Sequence, residues 1–197
     1  MQIGFYFDQS RCTGCYACLI ACKDWHDNMG TEPQNWVRVT AIEKGKFPEL
    51  SLSYLFTTCL HCADPLCIPA CPVNAITKRG EDGIVIVDRE ACLGSENCNQ
   101  ACREVCPYDV PQFGPEPNAK MQKCDLCLER WAVGRKPVCV EACPMRALDA
   151  GPLNELKAEY GDTREAEGFI YSEEVMPSIV FKLRRQGIVT SSDSGKK

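Results

Sequence analysis

The sequence predicts an α+β fold of two small modules followed by an extended C-terminal tail. Three observations carry this expectation. Sixteen cysteines fall into four groups of four, with none left over. Residues 3–79 and 84–150 repeat one order of features, with two cysteine groups in each half. Beyond residue 150 the chain turns acidic and then ends in a polar run.

Taken in order, Ile3-Gly4-Phe5-Tyr6-Phe7-Asp8 reads as a short strand leading to the first group, Cys12, Cys15, Cys18 and Cys22, spaced x2, x2, x3. Asn28 to Gln34, with Gly30 and Pro33, reads as a loop. The second group is Cys59, Cys62, Cys67 and Cys71, spaced x2, x4, x3. Gly80-Glu81-Asp82-Gly83 is a turn between the halves, with Asp82-Gly83 favouring a tight hairpin. Ile84 to Asp88 is a second strand, placed before the third group as the first strand is before its own. That third group is Cys92, Cys98, Cys102 and Cys106, spaced x5, x3, x3. Gly114 to Asn118 is another loop. The fourth group is Cys124, Cys127, Cys139 and Cys143, spaced x2, x11, x3. Cys71-Pro72-Val73-Asn74-Ala75-Ile76 parallels Cys143-Pro144-Met145-Arg146-Ala147-Leu148, each read as a helical turn and then a strand. In the tail, Leu153 to Tyr160 suits a helix stopped by Gly161, Ser178 to Leu183 is extended, and Ser191 to Lys197 is disordered. The tail serves either as an extension wrapping the modules or as a docking arm.

These spacings match the thiolate runs that hold cubane iron–sulfur clusters, where the fourth cysteine of a group ligates a different cluster from the first three. Four groups predict four [4Fe-4S] clusters. Pro72, Pro107 and Pro144 follow the last cysteine of three groups, where a fixed φ and a missing donor sharpen the exit. The x2 steps turn backbone amides toward the sulfurs, which tunes the potential. Cys59-x2-Cys62 and Cys124-x2-Cys127 alone would also suit zinc, but the other runs are too compact for that. A secreted disulfide scaffold would share the cysteine content, but it does not require this spacing. No Cys-x2-Cys-His occurs for a c-type haem.

Apolar residues make up 45% of the chain, and roughly 37% once cysteine is set aside, low for a packed domain. Such a chain needs staples, and metal binding supplies folding free energy. Without iron most of it is expected to be unfolded. A net charge of −5 argues against nucleic acid. No apolar run is long enough to span a membrane. Met1 to Asp8 has neither a basic nor an apolar signal region, so no export signal is expected.

Lys23, Arg103 and Lys123 each adjoin a cysteine and are read as tuning charges or as ordinary surface charge. His61, between Cys59 and Cys62, is expected as a polar loop residue close to a cluster, and His26 as a surface residue. No nucleophile–base grouping, paired carboxylates or phosphate loop appears in the sequence, which predicts a chain without a catalytic residue.

Arg11-Cys12-Thr13-Gly14-Cys15, Ala21-Cys22-Lys23-Asp24, Lys123-Cys124-Asp125-Leu126-Cys127 and Pro137-Val138-Cys139-Val140-Glu141-Ala142-Cys143-Pro144 resemble the four-cluster electron-transfer subunit of the dimethyl sulfoxide reductase family. Relatives in that family serve polysulfide, thiosulfate and nitrate reductases and formate dehydrogenases. The likeness covers residues 3–162. It implies two bacterial-ferredoxin-like modules with crossed ligation: residues 1–50 and 116–150 in the first, 51–115 in the second, and 151–197 as tail. It also implies four ligand sets. The first is Cys12, Cys15, Cys18 and Cys143, and the second Cys22, Cys124, Cys127 and Cys139. The third is Cys59, Cys62, Cys67 and Cys106, and the fourth Cys71, Cys92, Cys98 and Cys102. The first cluster would lie nearest a molybdopterin (Mo or W) catalytic subunit. The fourth would lie toward a membrane anchor or another carrier. The protein would thus be membrane-associated through its partners, or cytoplasmic. The stretch Cys92 to Cys102 departs from the family by four extra residues, which puts the far-end partner in question. The alternative is a free polyferredoxin, or a wiring subunit of a hydrogenase, formate dehydrogenase or carbon monoxide dehydrogenase complex.

Overall fold

A computed structural model describes residues 1–27 and 34–183. Residues 28–33 of the expected loop, and the polar end from Ser191, lie outside the described residues.

Strand β1 (Ile3–Asp8) is buried along its whole length, which its run of large apolar residues makes favourable. Ile3, Phe5 and Phe7 enter the main core, while Tyr6 joins Leu156 and Val180 on the other face. Gly4 shares the face of Tyr6, and a Cβ there would sit 2.5 Å from the Ser178 carbonyl oxygen. Only glycine lets the later chain cross so closely.

Helix α1 (Ala17–Trp25) follows. Strands β2 (Arg38–Lys44) and β3 (Ser51–Thr57) pair antiparallel from Arg38↔Thr57 to Lys44↔Ser51. Helix and ribbon both add to the elements expected from the sequence. The ribbon's signal lies in Val39, Thr40, Ile42, Tyr54 and Phe56, residues suited to a half-buried pleat.

Strands β4 (Ile76–Lys78) and β5 (Val85–Val87) form a hairpin. Its turn is the expected one: Gly83 has φ 70° and donates to the Arg79 carbonyl, and the Asp82 carboxylate accepts from Ile84 N–H at 3.0 Å. Four single-turn helices each contain or adjoin a cysteine: α2 (Ser95–Cys98), α3 (Ala101–Glu104), α4 (Leu128–Trp131) and α5 (Val138–Glu141). Strand β6 (Leu148–Pro152) leads into α6 (Leu153–Tyr160), which stops at Gly161 as expected. The last element is β7 (Ile179–Lys182).

The strand pairing crosses the duplication. β1 opens the first half and pairs antiparallel with β6, which closes the second. β4 closes the first half and pairs with β5, which opens the second. The turn at Asp82-Gly83 therefore joins one strand from each half into a two-stranded sheet.

Where an extended arm is expected, the described tail folds back. β7 lies parallel to β1 on the side away from β6. Just before it, Val175, Met176 and Ser178 bond along the second cysteine group: Ala63 N–H to Met176 O at 2.9 Å, Asp64 N–H to Val175 O at 3.2 Å and Ser178 N–H to Leu60 O at 3.0 Å. Gln9 bonds the backbone of Glu167 through both its amide atoms, at 2.9 and 2.8 Å. The described part of the tail thus lies against the rest of the chain.

An aromatic column ties tail to core: Phe181 lies 6.4 Å from Phe7 and 4.7 Å from Phe169, which stacks on Tyr108 at 5.1 Å. Truncating Phe181 to alanine removes the link and leaves a buried cavity. Its expected cost is about 3–5 kcal/mol in chemical denaturation of the protein as purified.

Candidate metal centres

The sixteen cysteines are all free thiols. Cys12, Cys15, Cys18 and Cys143 line one cavity of about 370 Å³. The loop of the first three hugs β3, because Gly14 (φ 66°) has no room for a Cβ against the Tyr54 ring. Cys143 reaches them from the end of α5, because β6 lies beside β1 with Leu148 opposite Phe7. Cys59, Cys62, Cys67 and Cys106 line a cavity of about 440 Å³. Cys71, Cys92, Cys98 and Cys102 line one of about 350 Å³.

Cys22, Cys124, Cys127 and Cys139 are all buried. Burial raises the Cys139 thiol well above the usual range, and then the neighbouring Cys124, Cys127 and Cys22 raise it further. Burial pushes Cys22 up to about 12, with Cys127 adding to it. In the cavity of the first three, burial and then Cys12 push Cys18 up to about 12. Thiols packed this closely in an apolar setting cannot ionise together unless a cation of high charge draws the protons off. The donor set is sulfur alone, which selects soft thiophilic metal over calcium or magnesium. These residues fit the [4Fe-4S] clusters that their spacing suggests.

Backbone donors serve the sulfurs. Ala75 N–H donates to Cys71 Sγ and Ala147 N–H to Cys143 Sγ, both at 3.3 Å. The two bonds occupy matching places in the repeat, four residues after the cysteine, with Asn74 and Arg146 both left-handed just before. Leu126 N–H donates to Cys124 Sγ at 3.4 Å.

Neighbouring groupings lie close enough to act on one another. Cys18 of the first raises the proton affinity of Cys22 and Cys139 in the second. Cys59 does the same to Cys124, and Cys67 to Cys102. The extra residues after Cys92 do not break the last grouping. They form α2 and, past left-handed Asn99 and Gln100, α3. Asn118 Nδ2 pins them by donating to Leu93 O at 2.8 Å, and Ser95 N–H donates to Ala119 O at 2.9 Å.

The four expected tuning residues divide. Lys23 is half-buried, with its Nζ 3.5 Å from Gln34 O. Arg103 is a surface residue that pairs with Asp109, Nε to Oδ1 at 2.6 Å, and this pairing lowers the Asp109 carboxyl. Lys123 is buried and cannot be ordinary surface charge; its ammonium donates to Val85 O and to Cys124 O. His61 is fully buried, a correction to its expected polar loop setting. Its Nδ1 accepts from Val85 N–H at 3.0 Å, which puts the ring proton on Nε2, an atom with no partner among the described residues. Burial, then the charges of Lys123 and Lys78, hold His61 well below the usual histidine range, so it is neutral.

His26 is the second correction. It caps α1, its side chain is only 12% exposed, and Nε2 lies 3.5 Å from Cys127 Sγ with the ring against Trp36. Its partner is 101 residues away, so no local pattern could have shown this. Sequence reading also missed what holds the Cys59–Cys62 loop. Gln2 Nε2 and Ser178 Oγ both donate to His61 O, at 3.0 and 2.9 Å, and Lys78 Nζ donates to Cys62 O and Ala63 O.

Comparison with known proteins agrees with this chemistry. Family models for a 4Fe-4S dicluster domain match residues 50–153 and 11–76. The chain is 40% identical over 202 residues to one of the chains of anaerobic dimethyl sulfoxide reductase from Escherichia coli (strain K12), covering 98% of this chain and 95% of that one. It is 33% identical over 177 residues to one of the subunits of sulfite dehydrogenase from Allochromatium vinosum, covering 80% and 72%. It is 34% identical over 182 residues to the hydrogenase-2 operon protein HybA of Escherichia coli O157:H7, covering 80% and 54%.

Replacing His61 with leucine would leave Val85 N–H buried without an acceptor. The expected loss is about 1–3 kcal/mol of stability, read from the midpoint of chemical denaturation.

Proposed function

The chain belongs to the 4Fe-4S dicluster family, together with its relative from anaerobic dimethyl sulfoxide reductase, and we propose how it works as the iron–sulfur electron-transfer subunit of an oxidoreductase complex. The observation that carries the proposal is the gathering of sixteen thiols into four adjoining groups of four. The proposed ligand sets are the crossed ones: Cys12, Cys15, Cys18 and Cys143; Cys22, Cys124, Cys127 and Cys139; Cys59, Cys62, Cys67 and Cys106; Cys71, Cys92, Cys98 and Cys102.

A bound cubane supplies reversible one-electron chemistry. The chain's own residues do the rest. The thiolates fix each site, burial keeps water away, and the Ala75, Ala147 and Leu126 amides aim partial positive charge at sulfur. Residues 1–50 with 116–150 form the proposed first module and 51–115 the second, with 151–197 as the tail bound across them. In this reading the subunit is non-catalytic and passes single electrons between a large molybdopterin subunit, Mo or W, at the Cys15 end and a second partner at the Cys98 end. Cys15 is exposed at the surface, as the end of a relay must be. The second partner is a membrane anchor or another carrier. Attachment to a membrane would then come through partners, since among the described residues no helix is long and apolar enough to cross one.

The likeness to HybA, a protein named for a hydrogenase operon, favours the second reading, a wiring subunit of another complex or a polyferredoxin. Affinity purification of the full chain from its native host separates them. A large molybdopterin protein is expected in the eluate, and a hydrogenase or no partner would favour the alternative.

The reconstituted chain should hold about sixteen iron and about sixteen sulfide, from four cubanes. Eight or fewer iron by chemical assay would sink the four-cluster count. Cys143→Ser should remove the EPR signal of the first cluster and spare the third and fourth. Loss of the latter pair first would overturn the crossed assignment.

A further inference from the structure

Lys123 and Asp125 flank Cys124 where the second and third thiol groupings meet. Lys123 is 3% exposed and lines the cavity of Cys59, Cys62, Cys67 and Cys106. Two of its three ammonium donors go to the carbonyls of Val85 and Cys124. Among the described residues no carboxylate pairs with it. A buried ammonium without a counter-charge is costly, and neutral carbonyls only partly offset that cost. The negative charge that balances Lys123 has to come from the cavity it lines.

Asp125 lies on the other side of Cys124. Its Oδ1 accepts from Cys127 N–H at 2.9 Å and stands 3.9 Å from His26 Nε2. That amide belongs to Cys127 of the second grouping, so the carboxylate stands beside that grouping. Asp125 is about one-third exposed, so water weakens its field more than that of Lys123.

We propose that Lys123 and Asp125 together build a step in reduction potential into the middle of the relay, with the third cluster a better electron acceptor than the second. The proposal rests on the four-set ligation described above. Adding one electron to a site adds one negative charge and no proton. A fixed cation beside the third set favours that charge, and a carboxylate beside the second set opposes it. Three consecutive residues, Lys123-Cys124-Asp125, thus carry opposite charges to neighbouring sites. An electron arriving from the Cys98 end settles on the third cluster, and its passage to the second runs uphill.

The test is an EPR-monitored redox titration of the full chain carrying its clusters, with the third signal identified as the one altered in Cys67→Ser. In the wild-type protein the third midpoint should lie above the second. Lys123→Met should shift the third midpoint down, and the other three less. Lys123→Arg, which keeps the charge, should restore it. Asp125→Asn should shift the second midpoint up. A third midpoint at or below the second in the wild type overturns the proposal. An unmoved third midpoint in Lys123→Met does so too, as does an equal fall in Lys123→Arg. Should Lys123→Met fail to take up iron, the wild-type order and Asp125→Asn still decide. A wild-type chain with fewer than four clusters would defeat the ligation underneath; four clusters without the step would defeat this proposal alone.

Discussion

Cys12 and Cys143 line one cavity although they stand near opposite ends of the duplicated sequence, and strand pairing is what closes that distance. β6 alongside β1 puts Leu148 opposite Phe7 and so delivers Cys143 to the loop of Cys12, Cys15 and Cys18. β5 alongside β4 does the equivalent for Cys92 and Cys71. Each pairing takes one strand from each half of the duplicated sequence. The crossing of strands thus brings thiols of both halves to one cavity. Since apolar residues other than cysteine are scarce, the buried thiols themselves occupy much of the core, with Cys22, Cys124, Cys139 and Cys143 packed among Phe7, Phe56 and Leu126.

Much of this could be read in the sequence because the spacing inside each cysteine group is local. Spacing of two or three residues between thiols is a strict geometric demand, so the groups announce themselves. The strands next to them, Ile3–Asp8 and Val85–Val87, were equally plain, being short apolar runs bounded by turn residues. The stop of α6 at Gly161 follows from one residue's freedom to take φ 90°. Long-range relations stayed hidden. Nothing near His26 tells that Cys127 will face it, and nothing near Lys123 tells that Val85 will cover it. Charge beside a cysteine reads the same in sequence whether it ends in solvent, as Arg103 does, or in the interior, as Lys123 does. The β2–β3 ribbon lacked strict alternation, since Leu55 and Phe56 are both buried while Leu52 is exposed.

The tail changes the picture of a string of metal sites. Through Val175, Met176 and Ser178 it clamps the loop of Cys59 and Cys62, and through β7 it seals β1. Tyr108, next to Pro107 and Cys106, stacks on Phe169 of the same tail. The segment without any cysteine therefore sets the rigidity of the region that lies between the two ends of the relay.

The nesting of the thiol groups also has a bearing on biogenesis. Cys59 to Cys106 are bracketed by Cys22 and Cys124, as an inner pair of parentheses is by an outer one. In the proposed ligation the inner bracket is complete once Cys106 has left the ribosome, while Cys12, Cys15 and Cys18, translated earlier, wait for Cys143. Cys12, Cys15 and Cys18, translated ahead of the inner bracket, are thus closed after it.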